Sequence, residues 1–211
     1  MTNNTNSTKK YEWGYLRETE EKALKAKINP VYGMHRTGLD TYLKVIFPNT
    51  KDWIHDKRVP NCIKNTRPDY RSESLKLIIE FNGLDHYTKP NIILKDIEKE
   101  KMYKDMGYKV VKIPFFIQLT NQAVEKMFGV IVKEQLFDGN VPSLLICDKC
   151  TPAYLCPLGI KRMAEDFQKY PEQYDVNMSS MKKEDLQLTS WDLLEKEYKN
   201  LKNEECEKCQ K

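Results

Sequence analysis

An α/β domain, with a sheet built around a β-hairpin and flanked by helices, is predicted by three observations. First, residues 67–87, RPDYRSESLKLIIEFNGLDHY, place Pro68-Asp69 at a strand end, then a polar turn over residues 71–74, then a hydrophobic strand over residues 75–81. Second, helical and extended patterns alternate around that hairpin in the order helix, strand, strand, strand, helix, strand, helix, as in a layered α/β core. Third, the texture changes after residue 139, where cysteines, prolines and charged helical runs concentrate. That change predicts a core over residues 11–139 and a small, mainly helical, cysteine-containing appendage over residues 140–211, with residues 1–10 a polar, disordered tail.

Taken in order, residues 11–26 are rich in Glu, Lys, Ala and Leu and read as a helix ended near Pro30. Residues 37–47 read as a second helix, capped by Thr37, with Leu39, Tyr42, Leu43 and Ile46 on one apolar stripe and Pro48 as its stop. Residues 52–59 alternate as a short strand, with Trp53 and His55 on one face. In the hairpin's second strand, period-2 alternation sends Leu77, Ile79 and Phe81 to one side and Ile78, Glu80 and Asn82 to the other. A helix over residues 91–106 offers Ile93, Ile97, Tyr103 and Met106 for packing and ends at Gly107. Residues 108–116 form a β-branched strand cut by Pro114, so it belongs at an edge or ends there. Another helix spans residues 120–129, and a charged helix spans residues 190–202, with Ser190 as its cap and Leu193 and Leu194 available to pack.

The 211 residues suit one ordinary domain plus an appendage. Charged residues make up 31% and the formal net charge is +4, which permits nucleic-acid binding without demanding it. No run is long and apolar enough to span a membrane, and the first residues lack the apolar core of a signal peptide, so a cytoplasmic, membrane-free protein is expected. In that compartment the six cysteines are thiols or metal ligands rather than disulfides.

The chemistry sits on the hairpin. A carboxylate, Glu80, stands in an otherwise apolar strand opposite a second carboxylate, Asp69. Buried carboxylates are costly unless paired or bound to a cation. Two converging on one edge suit a hard cation such as Mg²⁺, which takes oxygen ligands and keeps several waters. His86 lies just beyond the glycine that breaks the strand, and an imidazole can accept a proton from water or donate one to a leaving group.

The run Pro68-Asp69, ten intervening residues, then Glu80-Phe81-Asn82 resembles the PD-(D/E)XK nuclease motif, with Asn82 where a lysine usually stands. Within that superfamily, IIEFNGLDHY followed by KD and MGYKVVKI is similar to the branch holding very-short-patch-repair endonucleases and related phage and homing enzymes. The resemblance covers roughly residues 37–119. It implies a restriction-endonuclease-like core and Mg²⁺- or Mn²⁺-dependent hydrolysis of DNA by a cytoplasmic, phage-type or repair enzyme. Asp69 and Glu80 would hold the metal and His86 would assist proton transfer. Asn82 would ligate or position water, and Asp96 would orient His86 or complete the metal shell. Lys109 and Lys112, expected on one strand face, would replace the missing lysine's charge. The family often has an acid on the preceding helix, where Asp40 stands, though a solvated helix charge is an equal reading.

Arg36, Lys57, Arg58, Lys64, Arg67 and Arg71 cluster before and within the hairpin as candidate DNA contacts, with Lys161 and Arg162 in the appendage and Trp53, Tyr70 and Tyr87 available to stack or wedge. Cys147 and Cys150, and Cys206 and Cys209, are two CxxC pairs of zinc-ligand spacing. Cys156 is an alternative ligand, and CDKCTPAYLC also resembles the iron–sulfur cluster segment of some nucleases, with Cys62 as the upstream member. Two rival readings stay open: a non-catalytic nucleic-acid-binding module on the same fold, and a metal-cluster interaction protein. A second copy of the chain, or a nuclease or helicase subunit, is the expected partner if both strands are cut.

Overall fold

The computed structural model describes residues 39–144 and 151–209. The predicted helix over residues 11–26, Thr37, Arg36, Cys147 and Cys150 lie outside the described residues, as do the side chains of Cys206 and Cys209. Helix α1 (Leu39–Ile46) leads into strands β1 (Trp53–His55), β2 (Tyr70–Ser72) and β3 (Leu77–Asn82). A single turn, α2 (Asp85–Thr88), precedes the long α3 (Pro90–Asp105), then β4 (Lys109–Pro114) and α4 (Asn121–Phe128). A 3-10 turn at Pro152–Tyr154 opens the C-terminal helices α5 (Pro157–Gln168), α6 (Pro171–Met181), α7 (Leu186–Thr189) and α8 (Trp191–Cys209). No described helix is long and apolar enough to cross a membrane.

The sheet is mixed, in the order β1-β2-β3-β4. β1, β2 and β3 pair antiparallel, and α3 carries the chain over so that β4 lies parallel to β3. β4 is therefore an edge strand, as its terminal Pro114 requires. Alternation along β3 behaves as expected. Leu77 and Ile79 enter the main apolar cluster with Tyr70, Val111 and Ile113, packed by α1, α4 and α5. Ile78 joins a second, smaller cluster with Val59, Cys62, Tyr103 and Tyr108 under α3. The α1 stripe of Leu39, Tyr42, Leu43 and Ile46 is buried as predicted. In α4 the Thr120 side chain caps Ala123 N–H, and Gly129 closes the helix in the left-handed conformation (φ 76°).

Several expectations shift. The hairpin turn falls on residues 73–76, so β3 starts at Leu77 rather than at residue 75. The Asp52 carboxylate is the reason: it accepts hydrogen bonds from Ser74 N–H and from the Ser72 and Ser74 hydroxyls, and Lys76 turns with φ 47°. The strand predicted over residues 52–59 stops at His55, because Asp56 leaves the extended region at φ 43°. Ile97 is 55% exposed. The inward row of α3 runs through Ile93, Asp96 and Tyr103 instead, at the three- and four-residue steps of a helix face. Leu194 is buried but Leu193 is not.

The segment after residue 139 shares the main cluster, through Met163, Phe167, Tyr174, Met178, Leu194 and Tyr198. Polar clamps fix it. The Gln173 amide accepts Gln118 N–H (2.6 Å) and donates to Gln118 C=O (2.9 Å). Asn177 Oδ1 accepts the N–H groups of Ser143 and Leu144.

Candidate active site

Where β3 ends, beside parallel β4 and beneath α3, the structure gathers Asp69, Glu80, Asn82, His86, Asp96 and a lysine, Lys99. In open α/β sheets the carboxyl ends of parallel strands are the usual place for a site. The hairpin register pairs Tyr70 with Ile79, so Asp69, one residue before β2, stands opposite Glu80. Asp69 is anchored there by accepting Phe81 N–H through Oδ2 at 2.7 Å.

Glu80 is held in β3 with its side chain 15% exposed. Its Oε1 is buried without a hydrogen-bond partner, and the nearest cation is Lys99 Nζ at 3.6 Å. Burial is the largest influence and pushes the Glu80 carboxyl up to about 7. Lys99 pulls against that shift, while Asp69 and Asp96 reinforce it by like-charge repulsion. The Tyr103 hydroxyl has Thr66 and Glu80 as its polar neighbours. Glu80, Asn82, Asp96, Lys99, Tyr103 and Lys112 line a narrow crevice between β3 and α3.

His86 lies on α2 and is steered by α3. Its Nδ1 and Asp96 Oδ2 are 2.6 Å apart. The same Oδ2 accepts Arg162 Nη1 at 2.9 Å, and Nη1 also donates to the His86 carbonyl at 3.2 Å. Burial alone would raise the Asp96 carboxyl; the bonds from His86 and Arg162 outweigh it and hold the pKa below the ordinary carboxylate value. An ionised Asp96 makes Nδ1 the hydrogen-bond donor, which in a neutral imidazole leaves the other ring nitrogen, Nε2, as the acceptor.

Arg162 reaches this dyad because α5 lies directly on α2. A Cβ on Gly159 would stand 1.5 Å from the Tyr87 carbonyl oxygen, so only glycine permits the approach. Cys156 caps α5, accepting Gly159 N–H and donating to Tyr87 C=O. The Tyr87 hydroxyl in turn donates to Asp166 (2.8 Å), and the Arg162 guanidinium lies over the Tyr87 ring.

The remaining candidates separate. Asn82 is 1% exposed; its Nδ2 faces the Tyr87 hydroxyl without a partner at hydrogen-bonding geometry. Lys109 and Lys112 do not share a face, because positions three apart on a strand point oppositely. Lys109 bonds Phe128 C=O on the α4 side, whereas Lys112 pairs with Glu100 on the α3 side (2.6 Å). Asp40 is not a solvated helix charge: it is 5% exposed, with His55 Nε2 at 3.7 Å and Lys44 at 3.4 Å. Arg71 is buried against Glu73 (2.7 Å), which removes it from any DNA surface. Arg162 is likewise buried, while Lys161 is exposed. Tyr70 and Tyr87 are core side chains, and Trp53 packs on Phe47 and Tyr70. Lys57, Arg58, Lys64 and Arg67 are exposed on the loop leading into β2.

Cys62 is buried beside Thr66 and Met102, and Cys156 serves as the helix cap. Among the described residues no group of three or more His, Cys, Asp or Glu side chains is arranged to hold a metal. Two residues escaped the sequence reading. Lys99 lies one turn after Asp96 on the same α3 face, a spacing the sequence displays. Arg162 comes from a helix 66 residues away from Asp96 in sequence, and nothing local marks it. Comparison with protein-family models, with curated proteins and with solved structures finds no match to this chain.

Proposed function

We propose that this chain is a divalent-cation-dependent nuclease that hydrolyses DNA phosphodiester bonds, on a core of the restriction-endonuclease-like kind. The observation that carries this reading is Glu80: a carboxylate buried at the carboxyl end of a strand, with an orphaned oxygen, opposite a second carboxylate and beside a His–Asp pair. The donor set fits Mg²⁺ or Mn²⁺, because two carboxylates leave room for the waters that such ions retain. When bound at Glu80 and Asp69, the cation would supply positive charge to the phosphoryl oxygens and lower the pKa of a coordinated water.

The chain's own groups do the rest. His86 Nε2 accepts the proton of the attacking water, with its ring orientation set by Asp96 and Arg162. Lys99 provides the positive charge that Asn82 cannot, near the developing charge of the displaced oxygen. Glu80, whose carboxyl burial raises to about 7, would hold the cation in its ionised form. One observation favours a second reading, a DNA-binding module without catalysis: Lys99 stands within 3.6 Å of the carboxylate where a cation would sit.

Supercoiled plasmid incubated with Mg²⁺ or Mn²⁺ separates the two. Nicking or linearisation by the wild type, abolished by EDTA and by Glu80→Gln, is the expected result. DNA retention in a gel shift with no cleavage of supercoiled, mismatched or single-stranded substrate would establish the non-catalytic module instead.

A further inference from the structure

Ile63 is 96% exposed, yet the loop that bears it is firmly braced. Val59, Cys62 and Thr66 are buried beneath it. Val59 N–H bonds Thr66 C=O, Cys62 N–H bonds Val59 C=O, and Arg58 reaches the Cys62 carbonyl. The Cys62 thiol packs between Thr66 Oγ1 and Met102 Sδ on α3. A lone exposed aliphatic side chain is ordinary on a protein surface. This one is held out by a fixed backbone on a loop, residues 56–68, that carries four exposed cations, Lys57, Arg58, Lys64 and Arg67, and one acid, Asp56. Three of these are partly engaged, Arg67 with Asp56 at 3.9 Å, Lys64 with Glu98 and Arg58 with the Cys62 carbonyl. Ile63 and Asn61 themselves line one side of an open groove with Lys64, Glu98, Lys101, Met102, Asp105 and Met106, in which two acids face two lysines. Lys57, Arg58 and Arg67 do not line that groove and are the cations available to phosphates. The loop is also joined to the site: Thr66 and Glu80 share the Tyr103 hydroxyl as neighbour, and Arg67-Pro68 runs directly into Asp69.

We propose that this loop is the duplex-engaging element of the protein, with Ile63 as an apolar wedge that enters a base step while the flanking cations hold the two backbones. Apolar side chains inserted between base pairs unstack and kink DNA, and cations beside them neutralise the adjoining phosphates. The wedge would open the duplex next to the carboxylates, bringing a phosphodiester out of the stacked helix toward Glu80. This rests on the nuclease reading for its purpose, but its test does not depend on cleavage.

The full-length protein is titrated into duplexes carrying 2-aminopurine at successive steps, in Ca²⁺ to follow binding, using wild type, Ile63→Ala, Ile63→Leu and Lys57→Ala/Arg58→Ala. Because Ile63 has almost no contact with the protein, its variants keep the wild-type Tm. The expected result is a severalfold fluorescence rise at one step with wild type and Ile63→Leu, lost in Ile63→Ala, whose salt dependence of binding stays unchanged. The double variant instead flattens the slope of log K against log salt by about two. A fluorescence rise in Ile63→Ala equal to wild type overturns the wedge. Binding and cleavage with no rise at any step overturns the wedge alone, leaving the nuclease standing. A wild type that binds no duplex overturns both.

Discussion

On one face of the sheet, Tyr70, Leu77, Ile79, Val111 and Ile113 are buried in a single apolar cluster with α1, α4 and α5. On the other, the same strands present Glu80, Asn82 and Lys112 to α3, with Asp69 and Arg71 beside them. The apolar face has every property of a core that could hold the fold by itself. The polar face carries a carboxylate whose ionisation is opposed by burial and an amide nitrogen without a hydrogen bond. Groups of that kind cost stability where they stand. Ile78 packs part of the α3 face with Val59, Cys62, Tyr103 and Tyr108, and on the proposed reading the costly polar groups beside that cluster belong to a site rather than to the packing.

The contrast breaks most sharply in activity. Glu80→Gln is expected to lower plasmid cleavage by roughly 10³-fold or more, while far-UV circular dichroism remains that of the wild type. Ile79→Ala, one residue away and on the opposite face, should do the reverse: about 2–5 kcal/mol of stability lost in urea titration, with cleavage intact under folding conditions. Next comes the pH dependence of stability. A carboxyl whose folded value is raised to about 7 binds its proton more tightly in the folded chain than in the unfolded one. Stability therefore falls as the pH rises from the ordinary glutamate value through 7. Glu80→Gln should match wild type near pH 4 and exceed it by about 3 kcal/mol at pH 8, read from denaturation midpoints at the two pH values. The smallest effect sharpens the role of α5. Arg162→Lys keeps the charge but not both bonds to Asp96 and the His86 carbonyl, and should reduce cleavage roughly tenfold to a hundredfold, with a displaced pH–rate profile.

Much of this was legible in the chain. The alternation of LIIEFN assigned each β3 side chain to its face, but the pairing of Asp69 with Glu80 comes from a turn at residues 73–76 rather than at the expected 71–74. The helix expected over residues 120–129 runs from Asn121 to Phe128, between the Thr120 cap and Gly129. Lys109 and Lys112 are separated by local strand alternation and Lys99 stands one turn after Asp96 on α3, so these were legible and the expectation of a shared face misapplied the pattern. What was not legible depended on distance. Arg71 reads as a surface cation until Glu73 and Tyr108, brought together by the turn and β4, enclose it. The bond between Arg162 and Asp96 exists only because Gly159 lets α5 touch the backbone of Tyr87, a contact with no signature in either segment alone.

The most direct measurement is the titration of the Glu80 carboxyl itself, by ¹³C NMR on side-chain-labelled protein with Glu80→Gln for assignment, in the absence and presence of Mg²⁺. The expected result is a pKa near 7 without divalent cation that drops toward the ordinary carboxylate value when Mg²⁺ is added. A Glu80 that titrates near 7 and is indifferent to Mg²⁺, or that titrates normally without it, would contradict a cation site at this carboxylate and the nuclease built on it.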